Sequence, residues 1–377
     1  IDMNIAFYAP LKSPNSRIPS GDREMARSLI YLLKYLGHDV RLVSEFQSRE
    51  PEGKEKIQKQ LEAQGGSIAD KLVESYLDGT VSWKPQIWFT YHVYYKAPDW
   101  IGLKVTEKIN IPYVIAEVSH APKRANGPWK NSHIQVENSI KHADLILGLN
   151  SRDYPLVSSI LPSTDHYIGM KPFTYKEFRE PGKTGSLNKS LFDSSRGNTD
   201  RLIFLSVAMM RHGAKYESYR TLAEALREVD HLDWKLLVAG DGPARIEVEK
   251  LFDGLPVKFL GEVDKGKLSY LMSNSDIFLW PAIDEAYGMS LLEAQFNGLP
   301  VIAGGNGGVG DIVRENKTGV LTPVGDVKAF ADAISLLSAD KARLAKMSLA
   351  AIKIMTEEHS IDYAAKLVGP ALRGLIK

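Results

Sequence analysis

Short apolar runs, rich in β-branched and aromatic residues, alternate with longer segments of helical periodicity along most of the chain. In the first half, strands are predicted at NIAFYAP, DVRLVS, PQIWFTYH, IPYVIAEV and ADLILGLN. The helical pattern EMARSLIYLLKYLGH separates the first two, and Gly37 is predicted to end this helix. Apolar strands that alternate with helices are typical of a parallel sheet buried on both faces.

A change of composition divides the chain near its middle. The segment YKEFREPGKTGSLNKSLFDSSRGNTD is rich in Gly, Ser, Pro and charge, and we interpret residues 176–199 as a linker. A second alternating series follows, with strands predicted at RLIFLSV, WKLLVAG, VKFLGEV, DIFLWPA, PVIAGG and GVLTPV. The sequence therefore predicts an α/β fold of two Rossmann-like, doubly wound domains, at residues 1–175 and 200–358.

Two helical patterns in the first half need interpretation. EGKEKIQKQLEAQGGSIADKLVESYLDG is highly charged and predicts a pair of helices that form a solvated face. MARSLIYLLKYLGH mixes basic and apolar residues at helical spacing, which fits either a core helix or a peripheral membrane contact. We favour the core helix, because the same pattern is usual in helices that cover a sheet.

Composition narrows the class of protein. The 377 residues are 25% charged and 44% hydrophobic, as in soluble globular proteins, and the formal charge of +1 gives no preference for nucleic acid. The absence of cysteine excludes disulfides, thiolate catalysis and cysteine-ligated metal. Neither a leader nor a long apolar segment is evident, so we expect a cytoplasmic protein or a mature chain whose leader has been removed.

The candidate chemistry lies in DEAYGMSLLEAQFNGLPVIAGG, at residues 284–305. Gly288 follows the predicted strand DIFLWPA and precedes the helical pattern MSLLEAQFNG. The first amides of a helix lack intrahelical partners and carry the positive end of its dipole. The sequence therefore predicts a phosphate site at the helix start, formed by Tyr287, Gly288, Met289 and Ser290.

Two glutamates lie on either side of this turn. Glu293 is about one turn into the helix among apolar residues, where a ribose diol would compensate the cost of burying its charge. Glu285 precedes the helix and is placed to accept hydrogen bonds from a second sugar-like group. The alternative is an exposed Glu285 in a loop, with Glu293 complementing the helix start or pairing with a lysine.

The block FLGEVDKGKLSYLMSNSDIFLWPAIDEAYGMSLLEAQFNGLPVIAGGNGGVGDIVRENKTGVL, residues 259–321, resembles a family of enzymes. These are the retaining, nucleotide-sugar-dependent glycosyltransferases of the GT-B fold, in particular the family-four group, whose E-x7-E motif corresponds to Glu285 and Glu293. Weaker resemblance extends over SGDREMARSLIYLLKYLGHDV, NSRD, KPF and AGDGP. The resemblance implies two domains that face each other across a cleft, with the acceptor bound mainly by the first, the donor mainly by the second, and residues 359–377 crossing back to the first.

The resemblance also implies roles for individual residues. Glu293 would hold the ribose and Glu285 the hydroxyls of the transferred sugar, in agreement with the interpretation of the helix start. Gly21, in PSGD, would lie near the donor phosphates, and a turn or a helix cap is its alternative role. Gly242, in GDGP, would border the nucleotide base.

One part of the sequence departs from the family pattern. The family presents an arginine and, five or six residues later, a lysine to the diphosphate, in place of a metal. In SVAMMRHGAKYES the arginine position falls on Met209, Lys215 fits the lysine, and Arg211 is a candidate substitute. The alternative is that Arg211 and Lys215 are solvated loop cations. Because the chain contains no D-x-D triplet of the kind that holds a divalent cation against a diphosphate, we expect neither a metal nor another cofactor.

His120 lies just after a predicted strand in IPYVIAEVSHAPKR, on the edge where doubly wound sheets bind ligands. The family often has a histidine near this place that contacts the transferred sugar, and Glu117 competes for the position because it lies closer to the proline at the strand start. A structural histidine is the alternative. Lys123 and Arg124 follow, and they fit an anionic acceptor or, as we favour, a solvated loop.

These features lead us to expect a metal-independent hexosyltransferase that uses a nucleotide-diphosphate sugar and a saccharide, lipid-linked or small-molecule acceptor. The resemblance implies attack on the face from which the leaving group departs, with the phosphate helping to deprotonate the acceptor hydroxyl. Two other hypotheses stay open: an isomerase similar to the nucleotide-sugar epimerases, and an inactive nucleotide-binding subunit. Met209 favours the inactive subunit, whereas the intact block with Glu285 and Glu293 opposes it.

Overall fold

The computed structural model describes residues 2–175, 201–285 and 287–376. Contacts between residues divide the chain into two compact units. The N-terminal unit contains Ile1–Tyr175 and Ser360–Lys377, and the C-terminal unit contains Lys176–His359. The predicted linker at residues 176–199 lies outside the described residues.

The N-terminal unit is built on a six-stranded parallel sheet. Its strands are β1 (Asn4–Tyr8), β2 (Asp39–Ser44), β3 (Ile87–Val93), β4 (Tyr113–Val118), β5 (Leu145–Gly148) and β6 (Tyr167–Gly169). They lie in the order β2-β1-β3-β4-β5-β6, so the chain builds outward from β1 on one side and then reverses to the other. The switch point of this sheet is therefore between β1 and β3.

Helices connect these strands: α1 (Gly21–Tyr35), α2 (Glu55–Leu77), α3 (Gly102–Ile109), α4 (Lys130–His142) and α5 (Tyr154–Ser158). Helix α1 begins after Ser20, whose side chain accepts a hydrogen bond from the Arg23 amide at 3.2 Å. It ends at Tyr35, shortly before Gly37 as predicted, and Gly37 has a φ of 92° and donates its amide to the Lys34 carbonyl at 2.9 Å. One face of α1 is buried, which confirms the core helix.

The predicted pair of charged helices is wrong, because the segment forms the single continuous helix α2. Gly65 and Gly66 lie inside this helix and do not end it. A Cβ atom at Gly65 would stand 2.5 Å from the Cβ atom of Trp100, so glycine at this position allows α2 to pack closely against Trp100. The helix is not wholly solvated either, since it buries Ala69 and Tyr76.

The C-terminal unit has a second six-stranded parallel sheet. Its strands are β7 (Leu202–Val207), β8 (Trp234–Ala239), β9 (Val257–Gly261), β10 (Ile277–Trp280), β11 (Val301–Gly304) and β12 (Gly319–Thr322). Their order is β12-β11-β10-β7-β8-β9, which puts the switch point between β7 and β10. The helices are α6 (Ala214–Arg227), α7 (Arg245–Leu251), α8 (Lys265–Asn274), α9 (Met289–Phe296), α10 (Val309–Ile312), α11 (Val327–Ser338) and α12 (Lys341–Glu358). The two sheets confirm the predicted α/β fold with two Rossmann-like, doubly wound domains.

The last helix, α13 (Ile361–Leu375), belongs to the N-terminal unit and packs against α1. The Tyr35 hydroxyl donates to Asp362 Oδ1 at 2.6 Å, and a Cβ atom at Gly369 would stand 3.0 Å from Leu36 Cδ2. The N-terminal unit is therefore made of two separate stretches of chain. Over the described ranges, no helix combines the length and the apolar character needed to cross a membrane.

Candidate active site

In the C-terminal unit, the loops that follow β7 and β10 meet at the carboxyl edge of the sheet. The two strands are neighbours, with Phe204 opposite Ile277, and the chain reverses direction between them. Ligands of doubly wound sheets bind at such a switch point. Helix α6 begins after β7 and α9 begins after β10, so both helix starts lie at this edge.

Lys215, Glu285 and Trp280 form one cluster at this switch point, the Lys215–Glu285–Trp280 cluster. The Lys215 ammonium forms an ion pair with Glu285 Oε2, and Trp280 Nε1 donates to the same oxygen at 3.1 Å. The ammonium also lies 5.3 Å from the centre of the Trp280 ring. The side chains of Lys215 and Glu285 are 19% and 16% exposed, so an exposed Glu285 is excluded and the two charges neutralise each other largely out of water.

The loop between β10 and α9 has an unusual backbone. Ala282 and Asp284 have φ angles of 55° and 50°, in the left-handed region that residues with a side chain rarely adopt. The amide of Ile283, between them, donates to Ser218 Oγ at 3.0 Å and so ties the loop to α6. Such conformations cost about 1–3 kcal/mol each and persist mainly at functional sites. The strained backbone therefore indicates a functional site at this edge of the sheet, independently of any sequence motif.

Helix α9 begins at Gly288, which has a φ of 74° and leaves the helix without a side-chain cap. A Cβ atom at this position would stand 2.6 Å from Leu291 Cδ1, so the turn requires glycine. Without a capping side chain, the first amides of the helix are available to an anion. Tyr287 is 4% exposed, and its hydroxyl has no hydrogen-bond partner within the described chain. The turn thus combines a buried hydroxyl with the amides of Met289 and Ser290, which donate no hydrogen bond to any residue that the structure describes.

Glu293 lies on the second turn of α9 and is 7% exposed. Its neighbours Leu291, Leu292 and Ala294 are buried as well. An ionised carboxylate in such surroundings is stable only when polar groups meet it. The two glutamates thus lie on either side of the Gly288 turn, one within the Lys215–Glu285–Trp280 cluster and one buried in the helix.

Backbone hydrogen bonds join the loops that follow β7 and β8. The Met210 amide donates to the Asp241 carbonyl, and the Ala244 amide donates to the Met210 carbonyl, both at 2.9 Å. A Cβ atom at Gly242 would stand 2.2 Å from the Met210 carbonyl oxygen, so this contact requires glycine. Gly242 therefore has a structural reason to be glycine, apart from the base contact that the family resemblance implies.

The two candidate phosphate cations have different surroundings. Lys215 lies in the first turn of α6 and belongs to the cluster. Arg211 is exposed in the loop before α6, and no hydrogen bond or ion pair connects its side chain to the described part of the chain. Met209, at the family's arginine position, is partly buried. The structure thus joins Lys215 to Glu285 but does not bring Arg211 to them.

The N-terminal unit has its own group of ionisable side chains at its switch point. His92, near the end of β3, lies with Nδ1 2.9 Å from Oδ1 of Asp22, which follows Gly21 at the start of α1. Gly21 is exposed as the first residue of α1. Glu117, near the end of β4, is 4% exposed. Both His92 and Glu117 are held at left-handed φ angles, 64° and 60°.

Burial and neighbouring charges displace the pKa values in this group. Burial raises the pKa of Glu117 to about 8, with Asp22 and Asp153 adding to the rise and His92 opposing it. Burial alone would lower the pKa of His92, but the carboxylates of Glu117 and Asp22 outweigh it and raise the pKa to about 9. Glu117 Oε2 has no hydrogen-bond partner in the described chain. The group therefore holds a proton near neutral pH beside an available carboxylate oxygen.

His120 follows β4, but both of its ring nitrogens have partners. Nδ1 lies 3.0 Å from the Leu156 carbonyl oxygen, and Nε2 lies 2.9 Å from Glu137 Oε1. His133 Nε2 lies 3.2 Å from the same carboxylate oxygen, and burial lowers the pKa of His133. Of the two residues that compete for the family's sugar-contacting position, Glu117 is the one with an oxygen available to a ligand.

Sequence reasoning missed His92, Asp22 and Asp153. His92 ends the apolar run PQIWFTYH, and Asp22 follows Gly21. Their places at the end of a predicted strand and the start of a predicted helix could therefore have identified them. What the sequence did not give was the order of the strands, which brings the starts of α1 and α5 to the ends of β3 and β4.

Arg124 is not the solvated loop cation that we favoured. Its guanidinium lies 4.9 Å from the centre of the Tyr95 ring and 4.8 Å from that of Trp129. The ammonium of Lys96 lies 5.8 Å and 5.6 Å from the same two rings. Lys123 is exposed, as the solvated-loop interpretation expects. The N-terminal unit thus has a partly exposed aromatic surface that carries two positive charges.

Part of the chain is similar in sequence to a known protein family and to curated proteins. Residues 188–354 match the family model described as Glycosyl transferases group 1. The chain is similar to a sulfoquinovosyl transferase of Arabidopsis thaliana, with 33% identity over 36% of this chain and 26% of that protein. It is also similar to N-acetyl-alpha-D-glucosaminyl L-malate synthase of Bacillus anthracis, with 37% identity over 29% of each protein. The match therefore spans less than a third of the length of each of these relatives.

Solved structures match over nearly the whole chain. Sucrose-phosphate synthase from Thermosynechococcus elongatus has a TM-score of 0.74 at 18% identity and covers 99% of both chains. HepE from Anabaena, solved with UDP and glucose, has a TM-score of 0.71 at 15% identity over 99% of this chain and 100% of its own. These likenesses confirm the predicted GT-B class of fold. They show the fold alone, and the similarity to the glycosyl transferases of group 1 rests on residues 188–354.

Proposed function

We propose that the chain is a retaining glycosyltransferase that moves a hexosyl group from a nucleotide-diphosphate sugar to a hydroxyl group of a saccharide, lipid-linked or small-molecule acceptor. The observation that carries this proposal is the Lys215–Glu285–Trp280 cluster beside the uncapped start of α9. A cation, helix amides and a carboxylate at one edge are the groups that a sugar diphosphate needs. The family match over residues 188–354 supports the same assignment.

The similar proteins support a nucleotide sugar as donor and leave its base to experiment. HepE from Anabaena was solved with UDP-glucose, whereas a similar protein of Mycobacterium tuberculosis is a GDP-mannose-dependent mannosyltransferase. We assign the diphosphate to Lys215 and to the amides of Met289 and Ser290. Glu293 takes the ribose, and Glu285 takes the hydroxyls of the transferred sugar.

Other predicted residues have supporting roles. Arg211 adds a second cation for the diphosphate, Gly21 lets phosphate approach the start of α1, and Gly242 shapes the loop that borders the base. In the N-terminal unit we assign the sugar and acceptor contacts to Glu117 and His92, because both nitrogens of the predicted His120 have partners. This group holds a proton at neutral pH and can form hydrogen bonds with a hydroxyl of the sugar or of the acceptor.

Catalysis in this proposal consists of orientation and charge stabilisation. The bond between the anomeric carbon and the diphosphate oxygen breaks, the acceptor oxygen bonds to the same face of that carbon, and the acceptor proton passes to a phosphate oxygen. Lys215 and the α9 amides stabilise the negative charge on the leaving diphosphate, and each well-placed donor of this kind is worth about 3–4 kcal/mol. These fixed positive groups do the work that a metal ion does in other transferases.

An inactive nucleotide-binding protein is the second candidate. Met209 favours it, because the family's arginine is missing there and the exposed Arg211 side chain has no hydrogen bond or ion pair with the residues that the structure describes. This candidate predicts nucleotide binding without transfer. The epimerase-like alternative predicts conversion of the nucleotide sugar in the absence of any acceptor.

The test begins with thermal stabilisation of the purified protein by UDP, GDP, ADP and their hexose conjugates. We expect the nucleotides of one base to raise the Tm of the wild type but not that of Glu293→Ala. Glu247→Ala, at an exposed glutamate of α7, is the control and should be stabilised like the wild type. Chromatography with and without acceptors then separates transfer from isomerisation, and NMR of the anomeric proton in the product tests retention. Stabilisation by no nucleotide sugar, or equal stabilisation of Glu293→Ala, contradicts the proposal.

A further inference from the structure

His120, His133 and Glu137 form a compact cluster in the N-terminal unit, which we call the His–His–Glu cluster. His120 follows β4, and His133 and Glu137 lie one turn apart on α4. Their potential ligand atoms all lie within 4.8 Å of one another. The side chains of His120 and His133 are 4% and 3% exposed, and that of Glu137 is 28% exposed. Two buried imidazoles therefore converge on one carboxylate that water can reach.

The surroundings of His120 do not suit a neutral imidazole on its own. Nδ1 faces the Leu156 carbonyl oxygen at 3.0 Å, and Nε2 faces Glu137 Oε1 at 2.9 Å. Both oxygens are acceptors, whereas a neutral imidazole has one N–H. One nitrogen of a neutral ring would therefore point its lone pair at an oxygen. Either a second proton or a metal ion between Nε2 and the carboxylate removes this conflict.

We propose that His120, His133 and Glu137 bind a divalent transition-metal ion of the Zn²⁺ class. His120 then donates Nδ1–H to Leu156, which fixes the ring and leaves Nε2 as a ligand, as is usual for histidines on a metal. His133 Nε2 and Glu137 Oε1 supply the other two ligands. Two imidazoles and one carboxylate are a set that Zn²⁺ accepts, with a fourth position open to water.

The spacing of the cluster is close to what the ion needs. Ligand atoms about 2.1 Å from a tetrahedral Zn²⁺ lie roughly 3.4 Å apart. The two nitrogen–oxygen separations are 2.9 Å and 3.2 Å, so a small movement of the Glu137 side chain admits the ion. Lys141 Nζ lies 3.7 Å from Glu137 Oε2, the oxygen that the metal does not use.

The ion would join the segment after β4 to α4 and, through the Leu156 carbonyl, to α5. Glu117 lies three residues before His120, so the ion would brace the strand end that carries it. The site does not depend on the proposed transfer reaction. The expectation of a chain without metal rested on the absence of a D-x-D triplet, which concerns metal at a diphosphate and not a histidine site elsewhere.

The test uses the full chain without an affinity tag, freed of metal by a chelator. Calorimetry with Zn²⁺ measures stoichiometry and affinity, and Co²⁺ absorption in the visible range reports a tetrahedral site with nitrogen ligands. We expect one equivalent of metal in the wild type and in His142→Gln, a control at an exposed histidine of the same helix. His133→Gln and Glu137→Gln should each weaken Zn²⁺ binding by at least about a hundredfold, because even loss of an outer partner of a ligand costs about 10–100-fold.

A folded wild type that binds no stoichiometric Zn²⁺, or a His133→Gln variant with wild-type affinity, overturns the proposal in favour of a cluster held together by hydrogen bonds alone. Circular dichroism and thermal unfolding establish that each variant is folded, and Glu137→Gln keeps the shape of the side chain. Because the readout is metal affinity, a negative result leaves the proposed transfer activity untouched.

Discussion

Both units place ionisable side chains at the switch point of a parallel sheet, yet the two groups hold their charges differently. In the C-terminal unit, Glu285 pairs with the Lys215 ammonium and accepts a hydrogen bond from Trp280. In the N-terminal unit, Glu117 is buried among further carboxylates with His92 as its cationic neighbour, and its pKa rises to about 8. One group is a fixed ion pair, and the other keeps a proton on Glu117 at neutral pH.

The difference follows from the charged side chain at the start of the neighbouring helix in each unit. Helix α6 brings Lys215 to the loop after β10, whereas α1 brings the carboxylate of Asp22 to the end of β3. A carboxylate is favourable at a helix start, but it raises the cost of ionising a second carboxylate nearby. We infer that the C-terminal group is suited to an anion that arrives from solution. The N-terminal group is suited to a neutral hydroxyl, with which it can form hydrogen bonds.

The largest effect is expected from Glu293→Ala. Loss of two charge-assisted hydrogen bonds to a ribose is worth about 3 kcal/mol or more, so nucleotide affinity should fall by at least about a hundredfold. Glu285→Ala should lower the rate of transfer more than it lowers affinity, because Glu285 is assigned to the transferred sugar. Calorimetry and initial rates measure the two effects separately, and equal, small effects from both substitutions would refute the assignment.

Lys215→Ala tests the ion pair. Removal of the ammonium leaves Glu285 partly buried without its cation, which should lower the free energy of unfolding by about 1–3 kcal/mol. It should also weaken diphosphate binding. Lys215→Arg is the matched control and should keep most of the stability, because the charge remains. Chemical denaturation measures the difference, and a Lys215→Ala variant as stable as wild type would show that the pair does not stabilise the unit.

The N-terminal group predicts stability that falls as pH rises. Glu117, with its pKa raised from 4.5 to about 8, binds more protons in the folded chain, so its contribution to stability declines across that range. The contribution of His92, with its pKa raised from 6.5 to about 9, is fully present below pH 6.5 and is lost as pH rises through 9. The wild type should lose at least about 1 kcal/mol across these windows, or roughly 2–4 °C in Tm.

Two variants separate the contributions to this pH dependence. Glu117→Gln should flatten the decline of Tm below pH 8, and His92→Gln should flatten it between pH 6.5 and 9. Thermal unfolding of the three proteins over this range is the measurement. A wild-type Tm that does not change with pH would show that folding does not raise the pKa values of Glu117 and His92.

Arg211→Ala should have the smallest effect. The side chain is exposed and forms no hydrogen bond or ion pair with the described residues, so the free energy of unfolding should stay within about 0.5 kcal/mol of wild type. Diphosphate affinity should fall by less than about tenfold, because an exposed cation contributes up to about 1 kcal/mol. Calorimetry with the stabilising nucleotide decides the point. Wild-type affinity in this variant would mean that Arg211 does not compensate for Met209.

The apolar pattern was enough to predict the strands of the C-terminal unit, because each is a mainly apolar run bounded by turn residues. It failed at β6, which has three residues and lies at the edge of its sheet, partly exposed. It also failed at Gly65 and Gly66, which do not end the helix, and of these Gly65 allows α2 to pack closely against Trp100. Both failures have one cause. The pattern of apolar residues indicates which positions are buried, but it does not indicate which neighbouring element packs against them.

The candidate site was predictable only where its parts are close in sequence. The Gly288 turn and its two glutamates lie in one short segment, so helix-end chemistry was sufficient to find them. The pairs Lys215 with Glu285 and His92 with Asp22 each join residues 70 positions apart. They meet because of the order of strands in each sheet, which a list of apolar runs does not specify.

The place of α13 has a consequence for the growing chain. The N-terminal unit includes Ser360–Lys377, whereas the C-terminal unit is one uninterrupted stretch. During translation, α1 therefore waits for the helix that packs against it until the ribosome has made the whole C-terminal unit. Synthesis of the N-terminal unit therefore starts before that of the C-terminal unit, and its fold is completed only after the C-terminal unit has been made.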